Sequence, residues 1–256
     1  MTAEPWLLDG SPPSIVLDDE WLWRRVHDAD GEVAEELTSR GLRLLTADSG
    51  ARANFVLTAR LLLVVPSLQA TLEAHVHDVT LLDAAPGYDV SHSEPRWPHA
   101  IFVSVPAEEE PASALRLMEN VVHEGMHLQL TSLERRRPLV ATGAPRLFSP
   151  WKLEERDIQG VLHGAYVFTC IARLFLEPAL LDRLDGTELA YAERRRAEIA
   201  TEIAEIDLDA LAGGLNQDGR NLLDRLVAFN DLDARPATPK RTRKEEVGNE
   251  KRPEAR

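Results

Sequence analysis

The feature that most constrains the fold of this chain is a long helical pattern at residues 107–137, AEEEPASALRLMENVVHEGMHLQLTSLERRR. Acidic residues and Pro111 at its start favour a helix N-terminus, and three arginines followed by Pro138 favour its end. The apolar residues between these limits include Leu115, Met118, Val121, Val122, Met126, Leu128 and Leu130. A helix that is apolar almost all round is buried, so the sequence predicts a helical domain built around this segment.

The same helix carries the motif H-E-x-x-H at His123, Glu124 and His127. Residues four apart lie on one face of a helix, so the two imidazoles can bind one metal ion at about 2 Å. Glu124 lies beside that face and can reach a metal-bound water or a neighbouring ligand. Buried polar side chains are costly without partners, which favours a metal site over the alternative, a pair of hydrogen-bonded core histidines.

A catalytic metal ion needs a third protein ligand and an open coordination position. The candidates downstream of the motif are His163, Glu154, Glu155 and Glu177. His163 stands in a long apolar run, between Gly160 and Gly164, and these glycines leave room for a bulky neighbour. The residue types and their spacing leave the choice among these candidates open.

Helical periodicity dominates the rest of the chain as well. Helical segments are predicted at 18–42, with Gly31 and Gly41 as breaks, and at 51–65, 67–82, 158–176, 185–211 and 216–232. The best strand candidate is AIFVSV at 100–105, while 86–99 and 138–151 have the composition of loops. The predicted fold class is therefore mainly α with a short strand or small sheet, in a single domain of residues 1–234.

Charge and hydropathy limit the classes of partner. The formal net charge of -14 argues against a nucleic-acid partner. Residues 235–256 contain eight Lys/Arg and four Asp/Glu and are predicted to be a disordered basic tail. We expect a cytoplasmic protein without a membrane partner, because no signal-peptide pattern and no apolar run of about 20 residues is found. Cys170 is expected to be a buried thiol, and the oligomeric state stays open.

Two segments together resemble a known family. HEGMHLQL and FSPWKLEERDIQGVLHGAYVF are similar to the HExxH-motif peptide-modification proteins of ribosomal peptide natural-product clusters, in which HExxH precedes S-P-W-R-x-x-x-R-P-x-x-G-x-x-H-G-x-Y-x-F. The matching residues are Ser149, Pro150, Trp151, Arg156, Gly160, His163, Gly164, Tyr166 and Phe168. Lys152 and Asp157 stand where the family usually has Arg and Pro. The resemblance covers about 50 residues of the chain.

The resemblance implies an iron(II) enzyme that uses 2-oxoglutarate and O₂ to hydroxylate the β-carbon of a side chain in a precursor peptide. It implies that His123, His127 and His163 are the iron ligands. Three imidazoles differ from the two-histidine, one-carboxylate set of many non-haem iron oxygenases. They leave three octahedral positions, two for 2-oxoglutarate and one for O₂.

The co-substrate carries a distal carboxylate that needs a cationic partner, ideally a bidentate arginine. Arg156 is the first candidate for this role and Lys152 is the second. Trp151 is expected either beside the co-substrate or as a buried packing residue. In such an enzyme Glu124 has no water to activate, so it would orient a ligand or a substrate group.

Two other functions agree with the same residues. In a zinc-dependent metallopeptidase of the gluzincin type, Glu124 would deprotonate the zinc-bound water. The strand at 100–105 would bind an extended peptide along its edge, in this enzyme or in the hydroxylase. A non-enzymatic helical binding protein would use the histidines for a structural metal or none. Its charged helix at 187–212 would pair with a partner helix.

Overall fold

The computed structural model describes residues 17–47 and 49–233. The predicted basic tail at 235–256 and the N-terminal residues 1–16 lie outside the described residues. Among the described helices, none combines the length and the apolar character needed to cross a membrane.

The described residues form a mainly α fold with a small β component, which confirms the predicted fold class. The helices are α1 (Gly31–Ser39), α2 (Ser49–Leu62), α3 (Pro66–His75), α4 (Ser113–Arg136), α5 (Ile158–Leu174), α6 (Pro178–Leu181), α7 (Gly186–Ala204), α8 (Leu208–Gly213) and α9 (Gln217–Asp233). The strands are β1 (Arg43–Leu44), β2 (Asp78–Asp83), β3 (Ser91–Ser93), β4 (Ala100–Ser104), β5 (Arg146–Ser149) and β6 (Glu154–Asp157). A 3₁₀ turn spans Trp23–Arg25, and Gly31 is the first residue of α1 rather than a break within a helix.

Helix α4 is the centre of the molecule, as its apolar pattern predicted. Every residue from 113 to 130 is buried except His123 and His127. Helices α2, α3 and α5 and strands β3 and β4 pack against it. Gly125 makes room for a neighbour, because a Cβ atom there would lie 2.3 Å from Cδ2 of Leu72 in α3. The two motif histidines are therefore the only interruptions in the buried part of this helix.

The larger sheet of the described residues has the strand order β1-β2-β4-β3. Strands β2 and β4 are parallel, with Val79 opposite Ile101, and β3 pairs antiparallel with β4. The predicted helix at 67–82 is wrong beyond His75, because residues 78–83 form β2. The run VTLL is buried on both faces of the sheet, as is usual for an inner strand that has a parallel neighbour.

The strand prediction at 100–105 is confirmed by β4, but the expectation that its edge binds a peptide is wrong. Strand β4 lies between β2 and β3, and its hydrogen-bonding groups are used on both sides. The edge strand is β3, which lies inside the predicted loop at 86–99. An added strand could pair only with β3 at this end of the sheet.

A two-stranded hairpin replaces part of the predicted loop at 138–151. Strands β5 and β6 pair antiparallel, with Ser149 opposite Glu154. The turn between them contains Trp151 and Lys152, and Leu153 closes it with a positive φ of 52°. The hairpin contacts α5, so the turn residues face the helix that carries His163.

The C-terminal helices surround the far side of α5. The predicted helix at 185–211 is two helices, because α7 ends at Ala204 and Asp207 caps the start of α8. Only Ala192 and Ile199 are buried in α7, so most of this charged helix is accessible to solvent. Cys170 is buried in α5, as predicted, and burial raises the pKa of its thiol.

Candidate functional site

One cavity of about 480 Å³ is lined by all of the site residues predicted from the sequence. It lies between helices α4 and α5, the edge strand β3 and the β5–β6 turn. We call it the histidine pocket, and its predicted members are His123, Glu124, His127, Trp151, Lys152, Arg156 and His163. These residues are spread over 41 positions of the chain, so their convergence is a property of the tertiary structure.

Helix α4 presents His123 and His127 to the pocket one turn apart. Their ring centroids are 4.9 Å apart. Burial lowers the pKa of His123 to about 4, with a further contribution from the positive charge of Lys152. Burial also lowers the pKa of His127 to about 3, and the neighbouring His123 adds to this effect. Both rings are therefore neutral near pH 7, which is the form that binds metal ions.

Helix α5 brings His163 against His127. The two rings are stacked, and their Nδ1 atoms are 3.1 Å apart. The other nitrogen of His163, Nε2, lies 2.9 Å from Oε2 of Glu134 in α4. Sequence reasoning did not identify Glu134, although it follows His127 by seven residues and so lies two turns along the same helix face. Its neighbours in the sequence, ERRR, have the composition of a solvated helix end.

The donor set of the pocket fits a transition-metal ion. Two nitrogen ligands at right angles, each about 2.1 Å from one ion, are about 3.0 Å apart, close to the separation of the Nδ1 atoms of His127 and His163. As the side chains stand, no group of three or more His, Cys, Asp or Glu residues in the described ranges has the arrangement of a metal site. The His127–His163 pair therefore fits as two ligands, and His92 and His123 are the other imidazoles that line the same pocket.

Glu124 faces the pocket but already has a partner. The Ser93 hydroxyl in edge strand β3 donates to Oε2 of Glu124 at 2.6 Å. The other carboxylate oxygen, Oε1, lies 3.9 Å from Nε2 of His123. Glu124 is nearly completely buried, so the hydroxyl fixes its orientation. Ser93 is a site residue that sequence reasoning missed, because its role depends on which strand lies beside α4.

The cationic side chains lie at the mouth of the pocket. Arg156 is 39% exposed and pairs with Glu154 at 3.6 Å. Lys152 is close enough to His123 to lower the pKa of that ring. Both cations also line the pocket, so an anionic ligand of the histidine cluster would meet positive charge. Glu155, which precedes Arg156, does not line it.

Trp151 forms one wall of the pocket. Its ring stacks on Phe168 with centroids 4.9 Å apart, and its Nε1 donates to Oε2 of Glu202 at 2.9 Å. A Cβ atom at Gly164 would lie 2.4 Å from this indole. Gly164 therefore makes room for a bulky neighbour, as predicted, and that neighbour is Trp151. Phe168 in turn contacts His123 edge-on at 5.1 Å.

Three of the other five histidines lie at two places in the structure. His77 and His99 stack on each other, with ring centroids 4.3 Å apart, just before β2 and β4, and both are exposed. His92, in strand β3, lines the histidine pocket, and its Nε2 lies 2.8 Å from Oε1 of Glu94. His92 could not be identified from the sequence, because strand β3 has no recognisable pattern.

Comparison with protein families and with curated sequences found no match for this chain. The resemblance of the two motif segments to peptide-modification proteins therefore stays a prediction. The function has to be argued from the pocket itself.

Proposed function

We propose that this chain is an iron(II)- and 2-oxoglutarate-dependent oxygenase that hydroxylates the β-carbon of a side chain in a ribosomally made precursor peptide. The observation that supports this proposal most directly is the composition of one cavity. Four imidazoles line it, those of His92, His123, His127 and His163, with two cationic side chains, Lys152 and Arg156, at its mouth. A metal chelated by a dicarboxylate needs both kinds of group.

The three histidines would hold the ion, and burial keeps His123 and His127 neutral and ready to bind it. When bound, iron(II) and 2-oxoglutarate supply oxidation by O₂, with one oxygen atom entering succinate as CO₂ leaves and the other forming the new C–O bond. Trp151 and Phe168 would exclude water from one side of the pocket. Glu124, held by the Ser93 hydroxyl, would orient a ligand or a substrate group rather than accept a proton.

The two cations would bind the carboxylates of the co-substrate. Arg156 has only an exposed ion pair with Glu154 to exchange, and exposed pairs contribute about 0–1 kcal/mol. Its planar guanidinium suits the distal carboxylate. The positive charge of Lys152 lowers the pKa of His123, so this lysine acts on the histidine cluster. It would therefore balance negative charge close to the metal.

A peptide substrate is supported by the position of strand β3. Ser91, His92 and Ser93 are at the edge of the sheet and also line the histidine pocket. An extended peptide that added to this edge through backbone hydrogen bonds would present alternate side chains to the pocket. The edge function that the sequence assigned to residues 100–105 is thus proposed for β3.

A zinc metallopeptidase is the second candidate, and one observation favours it. Glu124 lines the pocket directly beside His123, with Oε1 3.9 Å from Nε2 of that ring. This is a position from which a carboxylate could accept a proton from a metal-bound water. Peptide hydrolysis requires neither Lys152 nor Arg156, however, whereas the carboxylates of 2-oxoglutarate would bind to both.

The deciding experiment uses the full chain purified without oxygen. We expect iron(II) followed by 2-oxoglutarate to produce a visible metal-to-ligand charge-transfer band. The band should be lost in His163→Ala and kept in the control variant His99→Ala, because His99 is exposed and does not line the pocket. Stoichiometric zinc with no response to 2-oxoglutarate would overturn the proposal in favour of the peptidase.

Glu124→Gln separates the two enzymes further. A peptidase that lost its general base should lose essentially all peptide hydrolysis. The oxygenase should keep its iron, its charge-transfer band and part of its O₂-dependent turnover. Complete loss of turnover with iron retained would contradict the orienting role proposed for Glu124.

A further inference from the structure

The least expected feature of the histidine pocket is the carboxylate behind it. Glu134 follows His127 by two helical turns in α4, and its side chain crosses to α5, where Oε2 lies 2.9 Å from Nε2 of His163. The side chains of Glu134 and His163 are only 10% and 12% exposed. A buried carboxylate so close to an imidazole nitrogen is a specific contact, not an exposed ion pair.

A second contact holds the same carboxylate oxygen. Gln159 lies one turn before His163 in α5, and its Nε2 donates to Oε2 of Glu134 at 2.6 Å. Glu134 is therefore bound at the same oxygen by an amide and by the imidazole, both from one helix. This restricts the carboxylate to a single orientation, and through it the His163 ring.

The contact decides which nitrogen of His163 is available. A carboxylate oxygen accepts hydrogen bonds, so Nε2 of His163 must donate and carry the hydrogen. A neutral imidazole has only one ring hydrogen, so its Nδ1 atom then carries a lone pair and accepts. That atom points toward His127, 3.1 Å from its Nδ1, which donates to it. The lone pair is thus directed into the pocket, where a metal ion would take the place of the His127 hydrogen.

We propose that Glu134 is a positioning residue that fixes the tautomer of His163, so that this histidine binds the metal through Nδ1. The inference rests on the proposed function, since it assumes that the histidine pocket binds a metal. Carboxylates that accept from the second nitrogen of a ligating histidine orient the ring and raise its basicity. Helix α4 thus supplies both the motif histidines and the group that orients the third ligand from α5.

The tautomer can be measured without metal. In protein labelled with ¹⁵N-histidine, we expect the ring resonances of His163 to have the Nε2–H pattern in the wild-type chain, with His163→Gln used for assignment. Glu134→Leu should lose this preference. An Nδ1–H pattern for His163 in the wild-type chain would overturn the inference, whatever the metal content of the protein.

The metal role is measured by titration with Co²⁺, using its visible spectrum and a competing chelator. We expect Glu134→Leu to bind Co²⁺ about 10- to 100-fold more weakly than wild type. The isosteric Glu134→Gln should show a smaller loss, because an amide oxygen can still accept from Nε2. Glu155→Gln is the control, since Glu155 is exposed on β6 and outside the pocket, and it should stay within about twofold of wild type.

The outcomes separate this inference from the proposed function. If the wild-type chain bound no Co²⁺ or iron(II), the proposed function would fail, and the metal role of Glu134 with it. If wild type and both Glu134 variants bound Co²⁺ equally well, only the inference would fail. Circular dichroism and thermal unfolding of each variant check that it folds, and Glu134→Gln provides the decision if Glu134→Leu does not.

Discussion

Helix α5 separates two cavities of similar size and opposite character. One face of the helix, with His163, Gly164 and Phe168, lines the histidine pocket. Another face, with Ala165, Thr169 and Ala172, lines a second cavity of about 380 Å³, which we call the apolar groove. The other walls of the groove include Ile199, Ile203, Ile206, Leu208, Leu223, Leu226 and Val227.

The two cavities have similar volumes and differ in the chemistry of the side chains that line them. Imidazoles with a lowered pKa, a buried carboxylate and two cations meet in the histidine pocket. Among the residues that line the apolar groove, Arg196 is the only charged one. Convergent polar groups with shifted pKa values are typical of functional sites. The groove residues contribute to packing, so changes there should affect stability and leave metal binding intact.

Among the substitutions, the largest expected effect on stability at neutral pH comes from the apolar groove. Leu226 is 2% exposed, and Leu226→Ala should lower the free energy of unfolding by about 2–5 kcal/mol through lost burial and a larger cavity. Urea denaturation measures this change. The metal affinity of the protein that stays folded should equal that of wild type. A clear loss of affinity would show that the two sides of α5 are coupled.

The histidine pocket should instead make stability depend on pH. The pKa values of His123 and His127 are about 4 and about 3 in the folded protein, below the value of about 6.5 for an unfolded chain. The unfolded state therefore binds more protons as the pH falls from about 6.5 to about 4. The metal-free protein should lose about 1.4 kcal/mol per pH unit for each histidine in that window.

This dependence is checked by measuring the free energy of unfolding between pH 8 and pH 4. His123→Phe should remove roughly half of the slope, because one of the two imidazoles with a lowered pKa is gone. The groove variant Leu226→Ala should keep the full slope. A wild-type curve that is flat below pH 6.5 would show that the two rings are not buried as neutral groups.

Gly164→Ala should disturb the wall of the histidine pocket. The new Cβ atom would lie 2.4 Å from the Trp151 indole, which is stacked on Phe168 and cannot move without losing that contact. We expect a loss of about 1–3 kcal/mol in the free energy of unfolding. Gly213→Ala is the matched control, because nothing lies within 4 Å of its Cβ position in α8. It should be neutral or stabilise by up to about 1 kcal/mol.

The smallest expected effect is that of Trp151→Phe. It keeps an aromatic ring on Phe168 but removes the donor to Glu202, at a cost of about 1 kcal/mol. Tyr191→Phe also removes one hydrogen-bond donor, the Tyr191 hydroxyl that donates to Glu119 at 2.6 Å. Tyr191 does not line the histidine pocket. Thermal unfolding should show similar losses for both variants. Only Trp151→Phe should weaken 2-oxoglutarate binding, measured by the charge-transfer band.

The helical frame of this protein was predictable where a pattern is long enough to be unambiguous. The periodicity of residues 107–137 and 158–176 identified α4 and α5, because three or more turns of apolar residues permit one reading. The short run VTLL did not identify strand β2, since four apolar residues fit a buried strand or a buried helix equally well. Strands β3 and β6, SHS and EERD, have no apolar pattern, and their pairing partners determine that they are strands.

The residues of the candidate site also divide into those that the sequence identified and those that it did not. His123, His127 and His163 stood out because ionisable residues in apolar runs need partners. Glu134, Ser93 and Glu202 did not, since each is a common polar residue in a polar context.

The sequence by itself therefore determined a buried helix with two histidines, a second buried helix with a third, and a loop between them that ends near Trp151. Only the tertiary structure decided that the third histidine faces the first two, that β3 rather than β4 forms the sheet edge, and that Glu134 lies behind His163. The physical reason is that periodicity records which side of an element is buried. The partner on that side depends on how the elements pack together.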